Sequence, residues 1–213
     1  MARPRSSAAH EAILLATRAA LVELGWSRLT MAEVAARAGV AKTTLYRRWP
    51  GKSELVVDAV AVLFDELELP DRGSLAADVE GVVLSFAALL EHPETKTSLM
   101  AVIAESTHDP ALRTRIRSAV VERQKRLVLQ GRARAQARGE LPPDGADAAE
   151  TARTVDLIFD VIAGAVVHRS LVSAEPVDAP WARRFTALLL GGLAAGGAAA
   201  GPPPGGQKPA GSV

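Results

Sequence analysis

Apolar residues recur at intervals of three and four along nearly the whole chain, and no run alternates apolar with polar positions as a half-buried strand does. The pattern predicts an all-α protein of about nine helices. Ile13, Ala16, Ala20 and Leu24 share a face of a first helix starting near Ser7, which Gly25 ends as a left-handed cap with Trp26 folding back. Thr30 and Glu33 form a T-x-x-E capping box for a short second helix through Ala38, closed by Gly39. A third helix covers residues 41–49, where Pro50-Gly51 stops it. The fourth spans 52–69 and ends at Pro70. The fifth opens at Ser74, aligns Val79, Val82, Phe86 and Leu90, and breaks at Pro93; the sixth covers 94–107. Asp109-Pro110, an N-cap followed by a first-turn proline, starts a long helix reaching Arg138 before Gly139.

The last two helices, 147–172 and 178–195, are apolar on more than one side. In the first, Ala148, Ala152, Val155, Phe159, Ile162 and Val166 form one stripe, with Leu157, Val161, Ala165 and Val172 beside it. In the second, Trp181, Phe185, Leu188 and Gly192 form a stripe flanked by Leu189 and Leu193. Two apolar sides require two partners. One arrangement pairs these helices with a second copy in a four-helix interface built from Val155, Phe159, Ile162, Val166, Phe185, Leu188 and Leu189. The other places them at the centre of one subunit's core. Residues 196–213, rich in Gly, Ala and Pro with Lys208 as the one charge, are expected to be a disordered tail.

The formal charge of +1 conceals an asymmetry: residues 1–52 hold nine Lys and Arg against three acids, a net +6, and the remainder carries −5. A basic head suits a polyanion such as DNA, although a solvated basic face fits the charge alone equally well. The chain has no cysteine, which excludes disulfides and thiol chemistry. The start lacks a basic segment leading into an apolar one, so no secretory signal is expected there. Residues 185–201, the most membrane-like stretch, are diluted by Gly and Ala. A cytoplasmic protein with no membrane contact is expected. The division reads as a head over 1–52, a body over 53–195, and the tail.

Leu29 to Trp49 reads LTMAEVAARAGVAKTTLYRRW. Two short helices meeting at Gly39 pack through Val34, Ala35, Val40 and Leu45, leaving Lys42, Thr43, Thr44, Tyr46, Arg47 and Arg48 on an outer face suited to a major groove. Long cations there match guanine edges, hydroxyls match phosphates, and a Thr methyl matches thymine. Thr30, the A-x-x-A-G-V turn from Ala35 to Val40, Leu45-Tyr46, Trp49 and the Pro50-x-Lys52-x-x-Leu55 start of the fourth helix, with Gly25-Trp26 before them, resemble the helix-turn-helix of the TetR family. That resemblance covers the first quarter of the chain. It implies a homodimeric regulator joined through its last two helices, an N-terminal three-helix head on a helical sensing and dimerisation body. It further implies repression at a palindromic operator in double-stranded DNA, relieved by a small-molecule effector. By the same resemblance Thr44, Tyr46 and Lys52 bind phosphates, Thr30 caps the second helix against the backbone, and Lys42, Thr43, Arg47 or Arg48 read bases. Trp49 departs from the usual Phe and keeps its role as a hydrophobic wedge. Arg3 and Arg5 stand in an arm before the first helix that either reaches the minor groove or is simply solvated.

Other chemistries find little support. Gly51-Lys52-Ser53 imitates the end of a P-loop, yet Tyr46 occupies the required first glycine. His10, His92, His108 and His168 lack paired metal spacing, so neither a metal nor another cofactor is expected, and no nucleophile elbow marks an enzyme. Candidate effector contacts are Phe64, Phe86, Leu90, Met100, Ile103, Leu127 and Phe159, each of which also reads as plain core. A DNA-binding protein that senses nothing is the alternative, distinguished by whether the body holds an apolar cavity. The basic residues of the long helix, from Arg113 to Arg138, point in many directions and read as solvated surface.

Overall fold

The computed structural model describes residues 4–199, and side chains from 7 to 194. Its elements are α1 Pro4–Arg28, α2 Met31–Arg37, α3 Lys42–Tyr46, α4 Lys52–Asp65, α5 Leu75–Glu91, α6 Pro93–Ser106, α7 Pro110–Ile116, α8 Glu122–Ala137, α9 Ala148–Val167 and α10 Ala179–Ala199. A π-helical turn, Arg117–Val121, joins α7 to α8 without a break, and a second, His168–Val172, extends α9. The described residues thus form nine helical rods and no strand. No described helix is long and apolar enough to cross a membrane. Residues 200–213, the greater part of the expected tail, and Arg3 lie outside the described residues, as does the side chain of Arg5.

Local signals set most boundaries. The side chains of Thr30, Ser74, Asp109 and Asp147 each accept a bond from a first-turn N–H, capping α2, α5, α7 and α9. Gly25 takes φ 73° inside α1, a conformation costly for any residue with a Cβ, and it sets the last turn of that helix at an angle. Helix α4 ends at Asp65, four residues before the expected Leu69. The carbonyls that would continue it are claimed by the long helix: Gln124 Nε2 donates to Phe64 O at 3.0 Å, Arg126 to Leu67 O at 3.1 Å, and Arg134 to Leu69 O at 2.9 Å.

Two apolar clusters hold the molecule. The first joins Ile13, Leu21, Leu29, Val34, Leu45 and Trp49 of the head to α4, with Val102 of α6 and Leu112 of α7. The second packs α5 against α9 and α10 through Val83, Leu90, Val166, Ala182 and Leu189. Phe86 and Leu99 touch both. Leu69, Val82 and Leu127 form a third, smaller cluster beneath the α4–α5 connection.

The basic row of the long helix is not merely solvated. Arg115 pairs with Asp58 on α4, Arg123 with Asp65, Lys125 with Asp156 on α9, and Arg132 with Asp144. Their directions differ because each residue reaches a different neighbour. Arg138 ends the row, bonding Asp71, Asp78 and Glu140 and so fastening the α4–α5 connection to the end of α8. Asp78 is fully buried; its Oδ1 accepts from Arg72 N at 2.6 Å and its Oδ2 from Arg138 at 2.9 Å. Burial pushes this carboxyl up, but the Arg72 N–H and the Arg138 guanidinium together outweigh it and hold the group below the ordinary aspartate range.

A folded-state value below the unfolded one means that Asp78 contributes stability above about pH 4, and that the contribution is lost as pH falls through the depressed value. Asp78→Asn keeps an acceptor for Arg72 and removes the charge facing Arg138. Urea denaturation at pH 7 should show a loss of about 1–3 kcal/mol. The gap between variant and parent should narrow as the pH is lowered past about 4; a gap constant from pH 7 to pH 3 would show that the charge is not what matters.

Candidate nucleic-acid interface

The arrangement of α2 and α3 follows from a few local contacts. Thr30 Oγ1 accepts from Glu33 N at 3.1 Å, but Glu33 does not complete a reciprocal capping box. Its carboxylate turns instead to Arg37 at 2.7 Å, and Glu23 of α1 reaches the same guanidinium at 2.6 Å. Arg37 is thereby neutralised and ties α2 to α1. Gly39, at φ 66°, lets Val40 N bond Ala35 O at 3.0 Å, the tight turn that aims α3 across α2.

Within α3 only Leu45 is buried, fully, in the head core. The opposite face carries Lys42, Thr43, Tyr46 and Arg47 into solvent, with Thr44 and Arg48 half-buried at its edges. Tyr46 is 54% exposed, unusual for a large aromatic side chain without a partner surface. Among the described residues, neither Lys42 nor Arg47 enters an ion pair. Thr30, at the head of α2, is exposed on its own cap. Lys52 begins α4; its Nζ donates to Trp26 O at 2.9 Å and lies 5.0 Å from the centre of the Trp26 ring. An ammonium has three donors, so two remain for an anion. With Leu45 anchoring α3 from behind, the outer face of α3 displays cations, hydroxyls and one phenol.

Trp49 is 2% exposed, and its ring does fill the head core as a wedge. Its polar edge escaped the sequence reading: Nε1 donates to Asp58 Oδ2 at 2.9 Å, while His10 stacks on the ring at 5.3 Å. An indole in place of the smaller ring was the available signal, because a buried indole N–H requires an acceptor.

The candidate effector residues are dispersed. Phe64 and Phe86 meet edge to face at 6.1 Å, where the two main clusters adjoin. Leu90 lies in the α5–α9–α10 cluster, Leu127 in the small one, and Phe159 is half-buried on α9. Met100 and Ile103 face solvent on α6. A depression of about 650 Å³ is lined by Asp65, Glu122, Arg123 and Arg126, a charged surface unlike an apolar pocket. Sequence reasoning overlooked Gln124, buried with Nε2 on Phe64 O and with Oε1 unpartnered. Its place on a polar-looking helix gave no hint of burial.

The expected partner-facing stripe divides. Val155, Val166 and Leu189 are buried within the chain, and Ile162 and Phe185 are half-buried in the packing around Val166 and Leu189. What remains on the surface is the neighbouring stripe, Leu157 and Val161, with Leu188, which is 77% exposed.

Comparison with known proteins agrees with this architecture. Residues 13–59 match the family of bacterial regulatory proteins named for tetR, and residues 69–189 match the tetracyclin repressor-like C-terminal domain. An HTH-type transcriptional regulator of Mycobacterium tuberculosis, Rv1556, is 30% identical over 165 residues, 77% of each chain. The regulator YdeS of Bacillus subtilis is 29% identical over 184 residues, 85% of this chain and 87% of its own. Among solved structures, the TetR family transcription regulator SCO0332 superposes with a TM-score of 0.67 at 29% identity, covering 86% of this chain and 97% of that one.

The geometry separates two kinds of contact. Lys52→Met should flatten the plot of log affinity against log salt by about 0.9 on any duplex, the value of one lost phosphate contact. Arg47→Ala should change base preference at one position while weakening binding by about 1–3 kcal/mol. Fluorescence anisotropy on duplexes of varied sequence, at four salt concentrations, measures both; identical slopes for parent and Lys52→Met would remove Lys52 from the interface.

Proposed function

Because this chain belongs to the TetR family of DNA-binding, helix-turn-helix transcriptional regulators, and is no enzyme, we propose that it is a dimeric, effector-released repressor of a palindromic operator. The observation that carries the reading is the face of α3, on which Lys42, Thr43, Tyr46 and Arg47 point outward while Leu45 anchors the helix from behind. Within this reading residues 1–52 are the DNA-binding head, and residues 53–195 the sensing and dimerising body. Thr44, Tyr46 and Lys52 meet phosphates, Thr30 caps α2 against the DNA backbone, and Lys42, Thr43, Arg47 and Arg48 meet base edges. The protein acts where the chromosome is, in the cytoplasm.

Dimerisation supplies the palindrome. Leu157 and Val161 on α9 and Leu188 on α10 are exposed apolar side chains, and on this reading a second copy related by a two-fold axis covers them with the same residues. The effector site lies near the Phe64–Phe86 contact, where Gln124 Oε1 is a buried acceptor without a donor. On this reading the effector is a mainly apolar molecule whose hydrogen-bond donor meets Gln124 Oε1, in a space that its binding opens. Gln124 also holds the Phe64 carbonyl at the end of α4, so a ligand that recruits its amide loosens that end of the helix whose other end begins at Lys52. Displacing α4 moves the two recognition helices off the groove spacing of about 34–36 Å.

Selection from a random duplex library tests the whole reading: an inverted repeat should emerge, bound with a steep salt dependence. Leu188→Glu should sediment as a monomer with unchanged helical content, since Leu188 packs little within its own subunit, and should lose the preference for two half-sites over one. A dimeric Leu188→Glu protein would place the interface elsewhere.

A further inference from the structure

On the reading that α3 is the recognition helix, we propose that the indole N–H of Trp49 is a positioning group: it sets the angle of α3 by tying its end, through Asp58, to Arg115 of the body. The backbone makes the tie direct. Arg48 N and Trp49 N both bond Leu45 O at 2.9 Å, so Trp49 is the rigid continuation of α3 and the helix cannot turn without carrying the indole. The ring is constrained on its face by His10 of α1, 5.3 Å away and within 9° of parallel, and on its edge by Asp58 Oδ2 at 2.9 Å.

Asp58 divides its two oxygens. Oδ2 takes the indole of the head and Oδ1 takes Arg115 Nη2 of α7 at 2.6 Å. The carboxylate therefore cannot rotate to improve one bond without loosening the other, and its position on the second turn of α4 is read at once by α3 and α7. Arg115 stands two residues before the π-helical turn, beyond which Gln124 and Arg126 donate to the Phe64 and Asp65 carbonyls at the other end of α4. Helix α4 is thus held on both sides of a register shift in the long helix, and the Trp49–Asp58 bond passes its orientation to α3.

Packing alone does not account for a tryptophan here. A phenylalanine fills the wedge without a donor, whereas an indole buried to 2% exposure is tolerated only with an acceptor at its edge. The two residues are mutually dependent: loss of Asp58 strands a buried N–H, and loss of the N–H makes Asp58 indifferent to α3. Specific binding, which needs α3 at one angle, responds to this bond; attraction to any duplex, which needs only charge, does not.

The test compares W49F, D58A, D58N and the W49F/D58A double variant with the parent, all as full chains. Affinity is measured for the duplex that the parent selects from a random library and for a random duplex, at one salt concentration. W49F should lose about tenfold on the selected duplex, the size expected for one hydrogen bond to a charged acceptor, with no change on random duplex. The double variant should discriminate no worse than D58A alone. In ¹⁵N–¹H spectra the Trp49 indole signal, identified by its absence in W49F, should exchange slowly in the parent and in D58N, which keeps an oxygen acceptor, and rapidly in D58A. Thermal midpoints identify any variant that has merely lost structure, and W49F retains the wedge if D58A does not fold. Undiminished discrimination by W49F, additive losses in the double variant, or a protected Trp49 N–H in D58A would each overturn the proposal with the DNA reading intact. A parent that selects no sequence would overturn both.

Discussion

Seven of the fourteen residues of α4, Leu55, Val56, Val57, Ala59, Val60, Ala61 and Phe64, are buried, because this helix lies between α1 on one side and α6 and α7 on the other. Burying each Val or Leu contributes about 1.5–3 kcal/mol, so α4 is firmly held. Apolar burial has no direction, however, and a helix covered on several sides has no polar face to fix its rotation. Orientation must come from the few directional contacts it makes: Lys52 at its start, Asp58 in its second turn, and its last carbonyls, all of them met by other elements. A helix held by burial and oriented by a few directional bonds is a natural place for the elements at its two ends to be coupled. The head owns one end of it and the long helix the other.

The long helix does its part through polar side chains more than through packing. Individually, ion pairs at the surface are worth little, about 0–1 kcal/mol. Several contacts here are of another kind: Gln124, Arg126 and Arg134 donate to main-chain carbonyls released where α4 stops, and Arg138 meets a fully buried carboxylate. The Gln124 bond is buried, and an unsatisfied buried carbonyl costs more than an exposed ion pair gains. The row of cations therefore determines where α4 ends and how the 66–74 connection lies, while the apolar clusters determine that it lies inside at all.

How much of this was legible in the sequence depended on range. Gly25, Gly39 and the caps at Thr30, Ser74, Asp109 and Asp147 act within a few residues, and each was readable from local spacing. The outward face of α3 was readable too, since Leu45 alone is apolar on its inner side and the rest is charge and hydroxyl. The bonds of Trp49 to Asp58, Gln124 to Phe64 and Arg138 to Asp78 were not, for they join helices whose relative rotation no periodicity specifies. The π turns gave no composition signal, and they shift the register on which the facing of later residues depends. On α9 the periodicity revealed two apolar stripes without saying which one the subunit would keep. Val166 went inward into the cluster that α5 and α10 complete, Val155 is buried on the same helix, which packs on α5 and α8, and Leu157 and Val161 were left outside.

That division has a mechanical consequence at the corner between α9 and α10. Arg169 sits 5.1 Å from the Trp181 ring, pairs with Glu175 at 2.7 Å and donates to Pro176 O at 2.8 Å; Trp181 in turn stacks on Phe185 at 5.1 Å. The turn between the two helices is thereby fixed by a cation over an aromatic pair as well as by an ion pair. Leu157, Val161 and Leu188 consequently belong to a frame of set angle, which α5 braces from within. If a second copy docks on that frame, the dimer axis is rigid with respect to α5, α9 and α10, and little of the head separation can be adjusted there. The remaining freedom lies where burial is strong and direction weak, along α4. Under the proposed dimeric reading, a small rotation of that helix is then the economical way to change the spacing of the two copies of α3 without disturbing their interface.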